Sequence, residues 1–236
     1  MQSLKKQGSK LADANYQLEV LEHSNDDAYR LTPFQQKMEN IGLYPLKPTG
    51  IEIFQVNIGK MCNQTCRHCH VDAGPDRTEI MTQQTMQQCL DVLKTNLFLK
   101  TVDITGGAPE LNPHFRWFVE EIKKLNRYLI VRCNLTIILA NKKYYDLPLF
   151  YKQHNMEVIC SLPFYTQDRT DRQRGDGVFE KSIKALQMLN QVGYGKESTG
   201  ILLNLVYNPA GAFLPPSQTA LEKEYKHALK ERYDIA

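Results

Sequence analysis

The chain has 236 residues, 42% hydrophobic and 23% charged, an ordinary composition for one large globular domain with a substantial core. A net charge of +3 is too small to argue for a nucleic-acid or anionic-membrane partner, and no apolar run is long enough to span a bilayer. The N-terminus, MQSLKKQGSKLADANYQ, has no apolar signal core, so a cytoplasmic, reducing setting is expected.

Residues 1–47 read as a polar leader with an irregular helical pattern, closed by Pro45 and Pro48, and no chemistry is assigned to it. A strand-then-helix rhythm occupies residues 48–236. The first strand is expected over residues 51–58 and a helix over about 82–94, followed by a second strand over 102–105. Asn112 as N-cap and Pro113 at the first helical position open the next helix, whose Phe115, Phe118, Val119, Ile122 and Leu125 share a face. Residues 128–133 and 156–162 read as the third and fourth strands. The charged run from Arg169 to Gly177 reads as a solvated surface loop, with a flap over a substrate as the alternative. Phe179, Ile183, Leu186 and Leu189 mark another helix, and residues 201–207 the fifth strand. A last helix opens at Thr219, where Thr219 and Glu222 fit a capping box.

Such β-α units in series imply a parallel sheet with right-handed crossovers, open or closed. The chain stops at Asp234-Ile235-Ala236, where a sixth strand would begin. The expected fold is therefore α/β, a partial (β/α) barrel of about five to six parallel strands, truncated at its C-terminal end. The polar oddities all follow strands. Thiols follow the first, Gly106-Gly107 the second, Asn134 the third, Ser161 the fourth and Asn208 the fifth. The C-terminal edge of parallel strands is where such folds build their sites.

The decisive string is Cys62-Asn-Gln-Thr-Cys66-Arg-His-Cys69, three thiols within eight residues. A tetrahedral zinc site needs a fourth ligand, which His68 or His70 would supply, although ligation by adjacent residues strains the chelate. The other reading is a 4Fe–4S cluster held by three thiolates with one iron left open. Cys89, Cys133 and Cys160 read as small buried hydrophobes, unless the last two line the barrel and meet a soft substrate.

The Cys-x3-Cys-x2-Cys spacing resembles the signature of the radical S-adenosylmethionine (SAM) superfamily. The resemblance implies a partial barrel of that type, with Cys62, Cys66 and Cys69 as cluster ligands and SAM on the open iron. One electron would cleave SAM to methionine and a 5′-deoxyadenosyl radical. His68 stands where the family places an aromatic residue near the adenine. Gly106-Gly107-Ala108-Pro109 resembles the family's Gly-Gly-Glu-Pro turn, which holds the methionine amino group. Ala108 replaces the usual Glu, and Glu110 lies two places later. At the strand ends, the resemblance gives Asn134 to the ribose and Arg132 to the carboxylate, with Ser161 as a further contact. Read without it, the glycines are a plain βα turn, Asn134 a strand cap and Arg132 a surface residue.

Several strings are similar to a narrower group, the arsenosugar-biosynthesis radical SAM proteins. They are Gln55-Val-Asn-Ile-Gly-Lys-Met-Cys-Asn-Gln-Thr-Cys66, His68-Cys-His-Val-Asp-Ala-Gly-Pro-Asp-Arg77, Arg132-Cys-Asn-Leu-Thr136 and Leu205-Val-Tyr-Asn-Pro209. That likeness implies transfer of a deoxyadenosyl group to a methylated trivalent arsenic species, with a flavodoxin or ferredoxin as electron donor. The family's C-terminal region, with its additional cysteines, is absent here. A radical enzyme acting on a peptide or small metabolite, and a non-catalytic zinc-binding module, are the alternatives.

Overall fold

The architecture rests on five short strands: β1 Ile53–Asn57, β2 Thr101–Thr105, β3 Tyr128–Cys133, β4 Met156–Ser161 and β5 Leu203–Val206. A computed structural model describes residues 2–23, 32–209, 211 and 214–236. The sheet runs β1-β2-β3-β4-β5 with every pair parallel. Sequential order with crossovers of one hand brings successive helices to one side of the sheet. The partial α/β barrel is thus present with five strands.

The helices are α1 Ala14–His23, α2 Phe34–Asn40, α3 Gln83–Thr95, α4 Phe115–Lys124, α5 Leu147–Gln153, α6 Gln167–Arg174, α7 Val178–Gln191 and α8 Gln218–Tyr233. The core joins Met86, Leu90 and Leu93 of α3, Phe115, Phe118 and Ile122 of α4, and Leu186 and Leu189 of α7. From the sheet it takes Val102 and Ile104, Leu129 and Val131, and Met156 and Val158. Each such fully buried side chain contributes roughly 1.5–3 kcal/mol relative to exposure. The alternate residues of the strands make the opposite face polar. There Gln55 Nε2 donates to Asp103 Oδ2 (2.7 Å), while Tyr128 Oη and Asn204 Nδ2 both donate to Glu157 (2.7 Å each).

Several boundaries differ from the sequence reading. β1 and β5 are shorter than expected, at 53–57 and 203–206. Helix α4 begins at Phe115 with His114 as N-cap. Asn112 is instead a staple: its Nδ2 donates to the carbonyls of Ile58 and Met81 (3.0 Å each), and its Oδ1 accepts from His114 N (2.9 Å). Helix α8 starts at Gln218, capped by Ser217 rather than Thr219, with the Ser217 hydroxyl accepting from Ala220 N. The charged run expected as a loop is largely helix α6, and α5 is an unforeseen helix.

The leader is not idle. Ser3 is fully buried and its hydroxyl bonds to Asp76, while Leu4 N and Lys5 N donate to Asp72 (2.6 and 3.0 Å). Arg77 grips the same Asp72 (2.6 Å) and Glu79 (2.8 Å). The loop that follows the thiols is thereby fastened from outside. Among the described residues, no helix is long and apolar enough to cross a membrane.

Candidate active site

Past the end of β1 the chain makes a long excursion and returns. Met81 N donates to Ile58 O (3.0 Å) and Lys60 N to Glu79 O (2.8 Å), closing the loop at its base. Cys62 N donates to Gly74 O (3.1 Å), cinching it midway. The three cysteines are consequently held on a closed loop above the sheet edge.

The turn after β2 docks directly onto this loop. Gly107 N donates to Gly59 O and Ala108 N to Met61 O (2.9 Å each). A Cβ on Gly106 would meet Gly59 O at 2.6 Å, and Gly106 also has φ +151°. A Cβ on Gly107 would meet Lys60 O at 2.8 Å and overlap Met61 O. Close backbone approach is the reason for two glycines here. Among the described residues, no N–H donates to the carbonyls of Gly106 or Gly107.

A pocket of about 270 Å³ opens at this edge, and it brings together Cys62, Cys66 and Cys69 with His68, Gly106, Gly107, Arg132, Asn134 and Ser161. Ala108 and Pro109 do not line it; both are buried behind the turn. Glu110 turns away as well, its carboxylate accepting from Tyr151 Oη (2.6 Å) on the helix side of the sheet.

Two of the thiols meet an N–H donor: Asn134 Nδ2 lies 3.4 Å from Cys62 Sγ and Ala73 N donates to Cys69 Sγ at 3.3 Å, while the Arg174 cation stands beside Cys66. Burial pushes the Cys62 thiol up to about 11, against the Gln64 backbone and Asn134 donors that lower it. Burial also raises Cys66, and Arg174 opposes it. Desolvation thus disfavours the thiolates until a metal supplies positive charge, while the N–H donors are already set for them. His68 stands at the rim; desolvation, then the Arg174 cation, lowers its imidazole pKa.

Two expected contacts have partners inside the protein. Arg132 is forked on Asp103, with Nε 3.0 Å from Oδ1 and Nη2 2.8 Å from Oδ2. Asn134 spends its amide on Asn63 Oδ1 (2.7 Å) and Cys62, and its Oδ1 accepts from Ile137 N (2.9 Å). Behind it Leu135 has φ +67° and ψ −52°, with Thr136 N donating to Asn134 O (2.9 Å). That is the γ-turn of the strained hand. Cys133 and Cys160 are register partners on the helix-facing side, outside the pocket, so neither lines the open face.

The residue the sequence did not expose is Arg174, the last of α6. It is 2% exposed, and its Nη2 donates to Gln64 Oε1 (2.7 Å) and Asn134 O (3.0 Å) while Nη1 reaches Ser161 O. The available signal was Gly175 after it, a helix-stopping glycine with φ +112°. A lone buried arginine among four charges has no sequence signature.

Residues 56–209 match the family model described as the radical SAM superfamily. The chain belongs to that superfamily. The cofactors of that superfamily are a 4Fe–4S cluster and S-adenosylmethionine, which favours the cluster over the zinc-module alternative. Among the described residues no three His, Cys, Asp or Glu are grouped closely enough to hold a single metal ion, yet the pocket offers the cluster three thiols, two with N–H donors, and a buried Arg174 whose Nε has no partner among the described residues. Among curated proteins, the chain is 23% identical over 141 residues to a probable GTP 3′,8-cyclase of Pyrococcus horikoshii, covering 59% of this chain and 43% of that one. Among solved structures it resembles Streptococcus suis SuiB bound to precursor peptide SuiA, with a TM-score of 0.56, 16% identity, and coverage of 83% and 40% of the two chains. The cobalamin-dependent radical SAM enzyme OxsB, with aqua-cobalamin and S-adenosylmethionine bound, gives a TM-score of 0.50, 13% identity, and coverage of 78% and 26%. The chain therefore spans less than half the length of these relatives, and the structural likenesses speak for the fold.

Proposed function

We propose that this radical SAM protein cleaves S-adenosylmethionine reductively and transfers the deoxyadenosyl group to a methylated trivalent arsenic species. The observation that supports the cofactor site is the convergence in one pocket of three thiols, two of them already met by an N–H donor. Cys62, Cys66 and Cys69 are the cluster ligands in this reading. When bound, the cluster supplies the electron that breaks the sulfonium bond.

The chain's own groups then position S-adenosylmethionine. The carbonyls of Gly106 and Gly107, which receive no N–H among the described residues, accept from its ammonium group. His68 at the rim packs on the adenine, and Ser161 contacts the cofactor from the end of β4. Asn134, braced on the cysteine loop, and Arg132, held by Asp103, would form the fixed wall that meets the ribose and the carboxylate of the bound cofactor.

The arsenical is argued from the quoted sequence strings. A flavodoxin or ferredoxin is the proposed electron donor, and the cytoplasm the proposed compartment. The test is anaerobic incubation of the reconstituted protein with dithionite, S-adenosylmethionine and dimethylated trivalent arsenic, followed by mass spectrometry. A deoxyadenosyl–arsenic adduct is expected. Deoxyadenosine without an adduct would keep the radical chemistry and remove the arsenical; colourless protein without iron would remove both.

A further inference from the structure

Arg174 is a buried cation that forms no ion pair among the described residues. Its acceptors are the Ser161 and Asn134 carbonyls and the Gln64 side-chain oxygen, all formally neutral, and the Cys66 thiol lies near it. A buried charge costs several kcal/mol unless an opposite charge answers it. Its Nε and the Gln64 Nε2 beside it are both buried without a partner among the described residues, although Arg174 and Gln64 border the pocket that holds the thiols. The guanidinium thus carries an unanswered charge and an unused donor at a site that gains negative charge when thiolates bind iron.

We infer that Arg174 is the counter-cation of the cluster-binding loop. It offsets the negative charge of the thiolate-bound cluster from the Cys66 side, and at the same time ties that loop to the ends of β3 and β4. This rests on the reading of Cys62, Cys66 and Cys69 as cluster ligands. Arg174 is a positioning residue: it acts on the reduction potential through the sulfurs, since hydrogen bonds and charge at the thiolates set that potential. A positive charge here favours the reduced, more negative state.

The experiment compares wild type, Arg174→Lys and Arg174→Gln after anaerobic reconstitution. It reads iron and sulfide per chain and the midpoint potential by EPR-monitored titration without S-adenosylmethionine. The lysine variant is expected to keep the cluster and a potential near wild type. The glutamine variant is expected to lose most of its iron, or to hold a cluster of lower potential. Should Arg174→Gln fail to fold, the lysine variant decides, because loss of the cluster there means that charge is not the requirement. Unchanged iron and potential in Arg174→Gln would overturn the inference. So would an unchanged potential with S-adenosylmethionine binding weakened more than tenfold, which would place the cation on the cofactor. A wild type that takes up no cluster would overturn the ligand assignment itself, a distinguishable failure.

Discussion

Arg132 and Asp103 sit on neighbouring strands with the guanidinium forked on the carboxylate, Nε and Nη2 both engaged within 3.0 Å. The Asp103 side chain is 5% exposed and that of Arg132 44%, so water reaches one partner only. Gln55 is the other donor to Asp103.

Arg132→Gln therefore leaves a buried carboxylate with a weaker set of donors. The expected loss is about 1–3 kcal/mol, below the 3–5 of a fully buried pair because Arg132 is screened. Urea unfolding of the cluster-free protein measures it. Wild-type stability in this variant would show that solvent already replaces the pair.

Asn134 joins the third strand to the cysteine loop through Cys62 and Asn63. Removing it as Asn134→Ala is expected to cost about 1–3 kcal/mol and to reduce iron uptake. Asn134→Asp should reduce iron uptake further, because a carboxylate then faces the Cys62 sulfur in place of an N–H donor. Iron assays on the two variants rank them; equal retention would mean that the N–H group at Cys62 is immaterial.

A Cβ at residue 107 has no room, since it would meet the Lys60 carbonyl at 2.8 Å and overlap that of Met61. Gly107→Ala should lift the turn off the loop, lowering stability by about 1–3 kcal/mol along with iron content. Ala108→Gly is the control, its cost limited to backbone freedom and the loss of one buried methyl group. A melting temperature for Gly107→Ala equal to that of the control would contradict the packing argument.

Glu110 is buried on the helix side, and desolvation raises its pKa above 4.5 despite the Tyr151 hydroxyl that lowers it. A carboxyl raised on folding favours the native state most fully below its unfolded value, and that contribution is lost as pH climbs through the folded value. Wild type should accordingly lose stability between pH 5 and pH 8 more steeply than Glu110→Gln, which keeps a partner for Tyr151 without a titrating group. Urea midpoints at the two pH values test this. Parallel behaviour would show that Glu110 is not the source.

The sequence exposed what depends on local spacing. Three thiols after a strand, two glycines after the next and the β-branched strands themselves are patterns of neighbours, and they reappear as a parallel sheet with its polar features on one edge. What stayed hidden depends on distant partners. Asn112-Pro113 satisfied every local rule for a helix start, yet Asn112 is claimed by the carbonyls of Ile58 and Met81. Helix α6 has no apolar stripe, so its run Gln-Asp-Arg-Thr-Asp-Arg-Gln-Arg looked solvated although Arg174 at its end is buried. Helix α5 begins with Leu147-Pro148, where proline reads as a breaker unless it is known to occupy the first turn.

The fastening of the cysteine loop by Arg174 also sets an order of events during synthesis. Cys69 leaves the ribosome 105 residues ahead of Arg174. At about 5–20 residues per second, the loop waits roughly 5–20 s for the arginine that holds it. Iron delivered during that interval would meet three thiols on an untethered segment, so metal loading belongs after translation of α6.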